Sequence, residues 1–363
     1  EAFGRNALQA NTDGVCNVAL GNGALYSNTS GNFNIGVGAR ALLANTSACF
    51  NVGVGVAAGT STTTGSCNVA IGMCSNYQNI TGGGSVFMGY LAGFYNNAGP
   101  NIGIGSSALR FNTAGCYNTV VGNNSMYCNT TGNYSTALGY NALFANTTGQ
   151  QNVAVGGDAS KCNTTGVYNI AVGVAASLFN KTGNCNVGIG RSALYCNTCG
   201  ANNIAIGSSA SMTTSANNTV AVGHEALKIN TAGDNVAVGA YALNCNTTGD
   251  YNTAIGYASQ NYTDTGGGNT SLGRQALYLN NDGGAYNTAL GSFAMANNTS
   301  GSCNVVVGTC ALCSNTTGGN NVAVGWRALC SSTTAASNVA VGRETLRSNT
   351  IGCCNIAIGY QSL

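Results

Sequence analysis

The sequence predicts an all-β protein: a parallel β-solenoid, or β-roll, of about 21–22 coils with a 17-residue repeat. Two observations predict it. Glycines that close phrases such as NVAVG and NIGIG recur at 4, 21, 38, 55, 72, 89, 105, 122, 139, 156, 173, 190, 207, 223, 239, 256, 273, 291, 308, 325, 342 and 359. Of the 21 intervals between these 22 anchors, 17 are 17 residues long, three are 16 and one is 18. The phrase before each anchor also alternates with period two, which marks a strand, and no stretch sustains a 3.6-residue period. A globular fold has no use for such regularity, whereas coils stacked in register require it.

Each unit reads N-V-A-V-G-x-x-A-L-x-x-N-T-T-G-x-x, as in Asn152 to Tyr168 with small changes. In the strand phrase the Val and Ile positions share one face, and the Asn, the Ala and the anchor Gly share the other. Four residues after the anchor stands Leu or Met in 15 of 22 units, among them Leu8, Leu25, Leu143, Leu227 and Leu363. That residue is expected to close the core from the opposite wall, giving a thin interior of Val, Ile, Ala and one Leu per coil. The N-T-T-G phrase is turn chemistry, with Asn bonding its own backbone and Gly expected to supply positive φ.

Stacking such coils creates two columns of Asn. Four residues before the anchor, 18 of 21 positions are Asn, including Asn17, Asn34, Asn51, Asn152 and Asn169; Ser85, Ser135 and Thr219 are the exceptions. Seven residues after it, 17 of 21 are Asn, including Asn28, Asn45, Asn146 and Asn163; Thr62, Thr214, Thr263 and Ser332 replace it elsewhere. Coils about 4.8 Å apart allow identical amides to bond along the axis as a ladder. Every exception keeps a hydrogen-bonding side chain, which points to a structural role for both columns.

Composition narrows the partners. Charged residues are 6% of the chain and the net charge is +2, too balanced to draw nucleic acid or an anionic membrane by a long-range field. No run of about 18 apolar residues is present, so no membrane span is expected. The opening EAFGRNALQA has neither a basic nor an apolar leader segment. Residues 1–363 read as a single continuous repeat domain without linker or evident caps, and its coils would make a rod of roughly 100 Å.

Candidate chemistry is sparse. Of 17 cysteines, five stand five residues before an anchor (Cys16, Cys67, Cys185, Cys303, Cys354), a column otherwise rich in Tyr and Phe. Cys there reads either as a small apolar filler in a semi-buried column or as a source of disulfides. Cys313 and Cys330 share another column in successive coils, at a spacing that suits a bridge. Cys196-Asn-Thr-Cys199 and Cys310-Ala-Leu-Cys313 have C-x-x-C form, but no second pair follows at zinc-ribbon spacing. The one histidine, His224, reads as a solvent-facing variable residue, and the carboxylates are scattered without an acid/base pair. No catalytic residue, metal site or cofactor is therefore assigned. Sixteen N-x-[ST] sequons occur, ten at the turn, among them Asn28, Asn45, Asn129, Asn146, Asn163, Asn246 and Asn315. Turn chemistry alone creates such sequons. Glycans at these Asn would, however, solvate a surface this poor in charge, which must otherwise pack against copies of itself.

The phrases NVAVG, NIAIG and NTAIG, followed by A-L and N-T-T-G, resemble the head repeats of trimeric autotransporter adhesins. They are also similar to the repeats of phage tail fibres and related large surface proteins, over essentially the whole chain. The resemblance implies a β-roll, three chains side by side, and a place outside the cell on a cell or virion surface. Two functions follow. One is a structural subunit of an extracellular filament that self-assembles by coil stacking, head to tail, because a contact that does not close builds a filament. The other is a trimeric adhesin or tail-fibre shaft that binds a host surface or glycan. Partners are accordingly the chain itself, as homopolymer or homotrimer, and cell-surface or host glycans. No patch in the repeat stands out as a receptor site.

Overall fold

The computed structural model describes residues 1–213 and 215–362; Thr214 and Leu363, named above in their columns, lie outside the described residues. They form two compact units, Glu1–Asn184 and Cys185–Leu363, at a boundary the period does not mark. Both units are parallel β-solenoids with a 17-residue repeat, and no helix occurs among the described residues.

In the first unit eleven strands, from Ala2–Phe3 through Val18–Leu20 to Ile170–Val172, pair in parallel, each with its counterpart one repeat away. Val153 faces Ile170 and Ala154 faces Ala171, so like residues stack on like. The second unit has eleven equivalent strands, from Val187–Ile189 to Ile356–Ile358. It adds four two-residue strands on another wall of the coil. Ile229–Asn230 pairs with Cys245–Asn246, and Tyr262–Thr263 with Leu279–Asn280.

The strand faces are the reverse of the expectation. The interior holds the Ala of the strand, the Ala three residues past the anchor and the Leu or Met at the fourth, as in Ala137, Ala142 and Leu143, all fully buried. The Val and Ile positions look outward: Val18 is 41% exposed, Leu20 46% and Ile35 39%. The physical reason is width. With Asn on the same face as Ala and bonded to the turn, the two walls lie so close that Ala or Gly is the usual residue between them, and a larger one such as Val120 or Val306 is the exception. A Cβ on Gly53 would come within 2.9 Å of Leu42. Where Phe87 stands in the Ala column, Gly93 and Gly103 face it, and a Cβ on either would meet its ring at 2.5–2.6 Å. Core volume is thus conserved across columns.

The backbone explains the anchors. Gly139 has φ +135°, outside the range of an L side chain, and a Cβ there would lie 2.5 Å from the Gly156 carbonyl oxygen. The turn glycine has a different cause from the one expected. Gly31 lacks a positive φ, but a Cβ would meet the Ala48 carbonyl at 2.3 Å and the Asn28 amide at 2.5 Å. Close approach selects Gly there. Each coil also holds non-glycine residues in the left-handed region, such as Tyr134 (φ 54°), Asn141 (φ 53°) and Leu143 (φ 52°). Isolated, such residues cost about 1–2 kcal/mol each, so the stack must hold them in place.

Changes of repeat length fall in one place. From the first Asn column through the anchor to the second is always eleven residues, and the usual return is six. In the four irregular units the return is five (Asn96 to Asn101, Thr214 to Thr219, Asn230 to Asn235) or seven (Asn280 to Asn287). In two of the three five-residue returns an amide bond inside the coil spans the shortened turn, Asn101 Nδ2 donating to Asn96 Oδ1 at 3.0 Å and Asn235 Nδ2 to Asn230 Oδ1 at 3.5 Å.

Candidate functional site

The two Asn columns are buried and each bonds in its own way. In the column after the anchor, Nδ2 donates to the amide oxygen one coil back: Asn28 to Asn11 at 2.8 Å, Asn45 to Asn28 at 2.6 Å, Asn146 to Asn129 at 2.9 Å, Asn163 to Asn146 at 2.8 Å. The same nitrogens donate to the turn carbonyl three residues on, as Asn28 does to Gly31 at 3.1 Å. In the column before the anchor the amide oxygen accepts the next coil's backbone N–H: Asn17 from Asn34 at 2.9 Å, Asn34 from Asn51 at 3.0 Å, Asn152 from Asn169 at 2.9 Å. Its Nδ2 reaches across to the next turn, Asn17 to the Gly31 carbonyl at 2.7 Å and Asn152 to Gly166 at 2.8 Å. Buried polar groups satisfied in this manner rigidify a core that is otherwise mostly Ala and Leu.

The ladder overturns the glycan assignment. Asn28, Asn45, Asn129, Asn146, Asn163, Asn246 and Asn315 are at most 1% exposed. The nitrogen that would carry a sugar is the one that donates along the axis, as in Asn129 to Asn112 at 2.7 Å, Asn246 to Asn230 at 2.7 Å and Asn315 to Asn298 at 2.9 Å. A glycan at these sites is incompatible with the coil, and turn chemistry accounts for the ten sequons at the turn.

In the column before the anchor the serine replacements keep the bond as expected, Ser85 Oγ accepting from the Asn101 N–H at 3.1 Å and Ser135 Oγ from Asn152 at 3.3 Å, but in the column after the anchor the replacements do not preserve the ladder. At Thr62 and Ser332 the shorter side chain fails to span one coil: Asn45 Oδ1 and Thr62 Oγ1 have no partner, nor do Asn315 Oδ1 and Ser332 Oγ. At Thr263 the hydroxyl turns to the Gln260 carbonyl at 3.3 Å and leaves Asn246 Oδ1 unpaired. In the Leu column, Asn76 and Gln260 are fully buried with neither amide atom bonded.

The cysteines of the aromatic column (Cys16, Cys67, Cys185, Cys303, Cys354) are exposed rather than semi-buried, because that position is a left-handed corner of the coil. Its aromatic members stack, Phe33 on Phe50 at 5.2 Å and Tyr117 on Tyr134 at 5.1 Å. All 17 cysteines are free thiols. Cys313 and Cys330 stand on successive coils with their sulfurs 3.3 Å apart, in contact but unbonded. Burial, then the neighbouring Cys330, pushes the Cys313 thiol up to about 11. Burial likewise raises Cys310, with Cys313 adding to it.

Aromatic side chains elsewhere make longer chains. In the first unit six rings from Tyr77 to Phe144 touch in sequence at 4.7–5.2 Å, through Phe94, Tyr95, Phe111 and Tyr127. In the second unit the rings surround a hollow of about 290 Å³. Its floor is Ala258 and Asn261, 3% and 8% exposed, and its walls include Tyr241, Tyr257, Tyr262 and Tyr278. Tyr241 meets Tyr257 edge to face at 6.0 Å, and Tyr262 meets Tyr278 at 5.4 Å. A second hollow of about 270 Å³ shares Gln275 and Tyr278 with it and runs on to Phe293 and Cys313. The sequence reading finds no such patch. The cue it contains is Ala258 standing between Tyr241 and Gln275, two residues past successive anchors.

The charged groups are dispersed. His224 is exposed and lies edge-on to Tyr241 at 5.2 Å. Glu225 pairs with Lys228 at 2.9 Å, Asp158 with Lys161 at 3.2 Å and Glu344 with Arg347 at 3.2 Å. A hydrogen bond from Gln361, then the nearby arginines, holds the Glu344 carboxyl below its usual range. Among the described residues no three His, Cys, Asp or Glu side chains converge, and Cys196–Cys199 and Cys310–Cys313 gain no further ligand. No helix of the described residues is long and apolar enough to cross a membrane. No protein-family model matches the chain, and no curated protein matches it either.

Proposed function

We propose that the chain is a structural subunit of an extracellular filament or fibre that assembles by stacking coil on coil, head to tail. One observation carries this reading: the coils are interchangeable. Each presents the same strand edge to its neighbours and most present the same amide donor and carbonyl acceptor, as the pairing of Ala154 with Ala171 and of Asn163 with Asn146 exemplifies. A coil from a second copy offers the same set, so a copy can extend the ladder. A heterologous contact of this type does not close and propagates as a fibre. The resemblance to surface-fibre repeats and the low charge support a setting on a cell or virion surface.

A second reading, chains side by side as in a trimeric adhesin or tail-fibre shaft, is favoured by the outward Val and Ile stripe. Flat apolar rows such as Val18, Leu20 and Ile35 are contiguous from coil to coil, and patches of that extent mark association surfaces. With the turn Asn closed to glycans, protein is the cover that fits them. Cryo-electron microscopy of the purified, non-reduced chain separates the two. A continuous filament one chain thick is the expected result, discrete bundles three chains thick support the second reading, and single dispersed rods would sink both.

A further inference from the structure

The geometry points to a sugar-binding site in the second unit: the hollow over Ala258 and Asn261 takes one pyranose ring of a neutral glycan. This assignment is independent of filament formation. The hollow exists because Ala258 has a methyl group where the equivalent residues of the flanking coils are Tyr241 and Gln275. At about 290 Å³ it stands at the small end of ligand sites, the size for a single ring rather than a cofactor.

Its chemistry fits a sugar. A pyranose presents patches of C–H on its faces and hydroxyls around its rim. Aromatic rings offer electron-rich faces to the former, and amides donate and accept for the latter. Here four tyrosines form the walls, while Asn244, Asn261 and Gln275 supply amides. Asn261 Nδ2 is held by the Tyr241 carbonyl at 3.0 Å and Asn244 Nδ2 by the Glu225 carbonyl at 2.8 Å, which fixes both amides before any ligand arrives. Preorganisation of this kind lowers the entropic cost of binding. No Lys or Arg lines the hollow, and Glu225 is already paired with Lys228, so the site has nothing to attract a phosphate or sulfate. The open mouth suits one ring of a longer chain, a second ring lying toward the adjoining hollow past Tyr278.

The test is saturation-transfer NMR on the full chain with methyl α-mannoside, lactose and N,N′-diacetylchitobiose as probes at millimolar concentration. Two variants accompany it. Ala258→Arg fills the hollow with the residue that Arg327 places at the same left-handed position of another coil (φ 55° against 51°), so the backbone accepts it. Tyr257→Ala removes a wall whose ring is 52% exposed and lies outside the core. The expected result is transfer from tyrosine ring protons to the C–H protons of at least one probe, reduced at least tenfold in each variant with its circular dichroism unchanged. No transfer to any of the three probes overturns the proposal. So does transfer that persists in either folded variant.

Discussion

Asn45 ends a run of paired amides because residue 62 is Thr, and its buried oxygen faces nothing. An unsatisfied buried acceptor costs about 1–3 kcal/mol. Thr62→Asn and Ser332→Asn should therefore each raise the stability of their own unit by about 1–2 kcal/mol, read as a higher midpoint in guanidinium unfolding. A lowered midpoint for both would mean that the orphaned oxygens are satisfied in solution. The opposite sign is expected at the anchors. Gly139→Ala forces an L residue to φ near 135° and sets its methyl against the next coil's backbone, which should cost about 3 kcal/mol or more. The cost should appear in the same unfolding experiment. Both effects come from polar and backbone atoms, in keeping with an interior whose apolar part is almost entirely Ala and Leu.

At the level of the coil, much of the design is legible in the one-dimensional pattern. The period places the strands, the anchors mark the strand ends, and the Asn columns announce the ladder before any coordinate is seen. The sidedness of the strand is not legible, because a period-two pattern looks the same from inside and outside. Hydrophobicity then selects Val and Ile for the core, whereas the narrow gap between walls selects Ala. The tyrosine hollow is hidden for a related reason, since Tyr241, Ala258, Asn261 and Tyr278 come from three successive coils and two different columns. Where neighbours act alone the column is enough to place them side by side, as for Cys313 and Cys330, although the two are unbonded thiols. With sulfurs 3.3 Å apart, oxidised glutathione should convert this pair to a disulfide by thiol exchange, detected as a cross-linked peptide in mass spectrometry. Closing a loop of this length should add about 3 kcal/mol. Glutathione adducts on separate sulfurs, with no internal link, would refute this. Because Cys313 titrates near 11, the reaction should accelerate as pH rises toward that value. The sign for stability is opposite. The unfolded thiol loses its proton near 9 while the folded one keeps it, so the stabilisation is complete below about pH 9 and is lost between there and about 11.

For the molecule as a whole, stability is a sum over equivalent neighbours, since each coil bonds chiefly to the one before and the one after. Removing residues 140–156, one whole repeat, should leave a chain that folds with the same circular dichroism, because residues 157 onward then meet the coil ending at Gly139 in the old register. Deleting Ala154 alone should do the reverse. It shortens the invariant eleven-residue half, moves Val153 into the Ala column and Gln151 into the Asn column, and should leave that region open to proteolysis. A whole-repeat deletion that is digested as readily as the single-residue one would refute the nearest-neighbour account.

The interchangeability of the coils has a genetic consequence. Recombination between misaligned copies of a 17-codon cassette adds or removes whole coils, and a product built from regular units inherits their amide partners and a core of the right width. Selection can thus adjust the number of coils directly, by counting cassettes, without passing through unfolded intermediates. Single-codon slippage is admitted only in the turn between the two Asn columns, where all four departures from the 17-residue period are found.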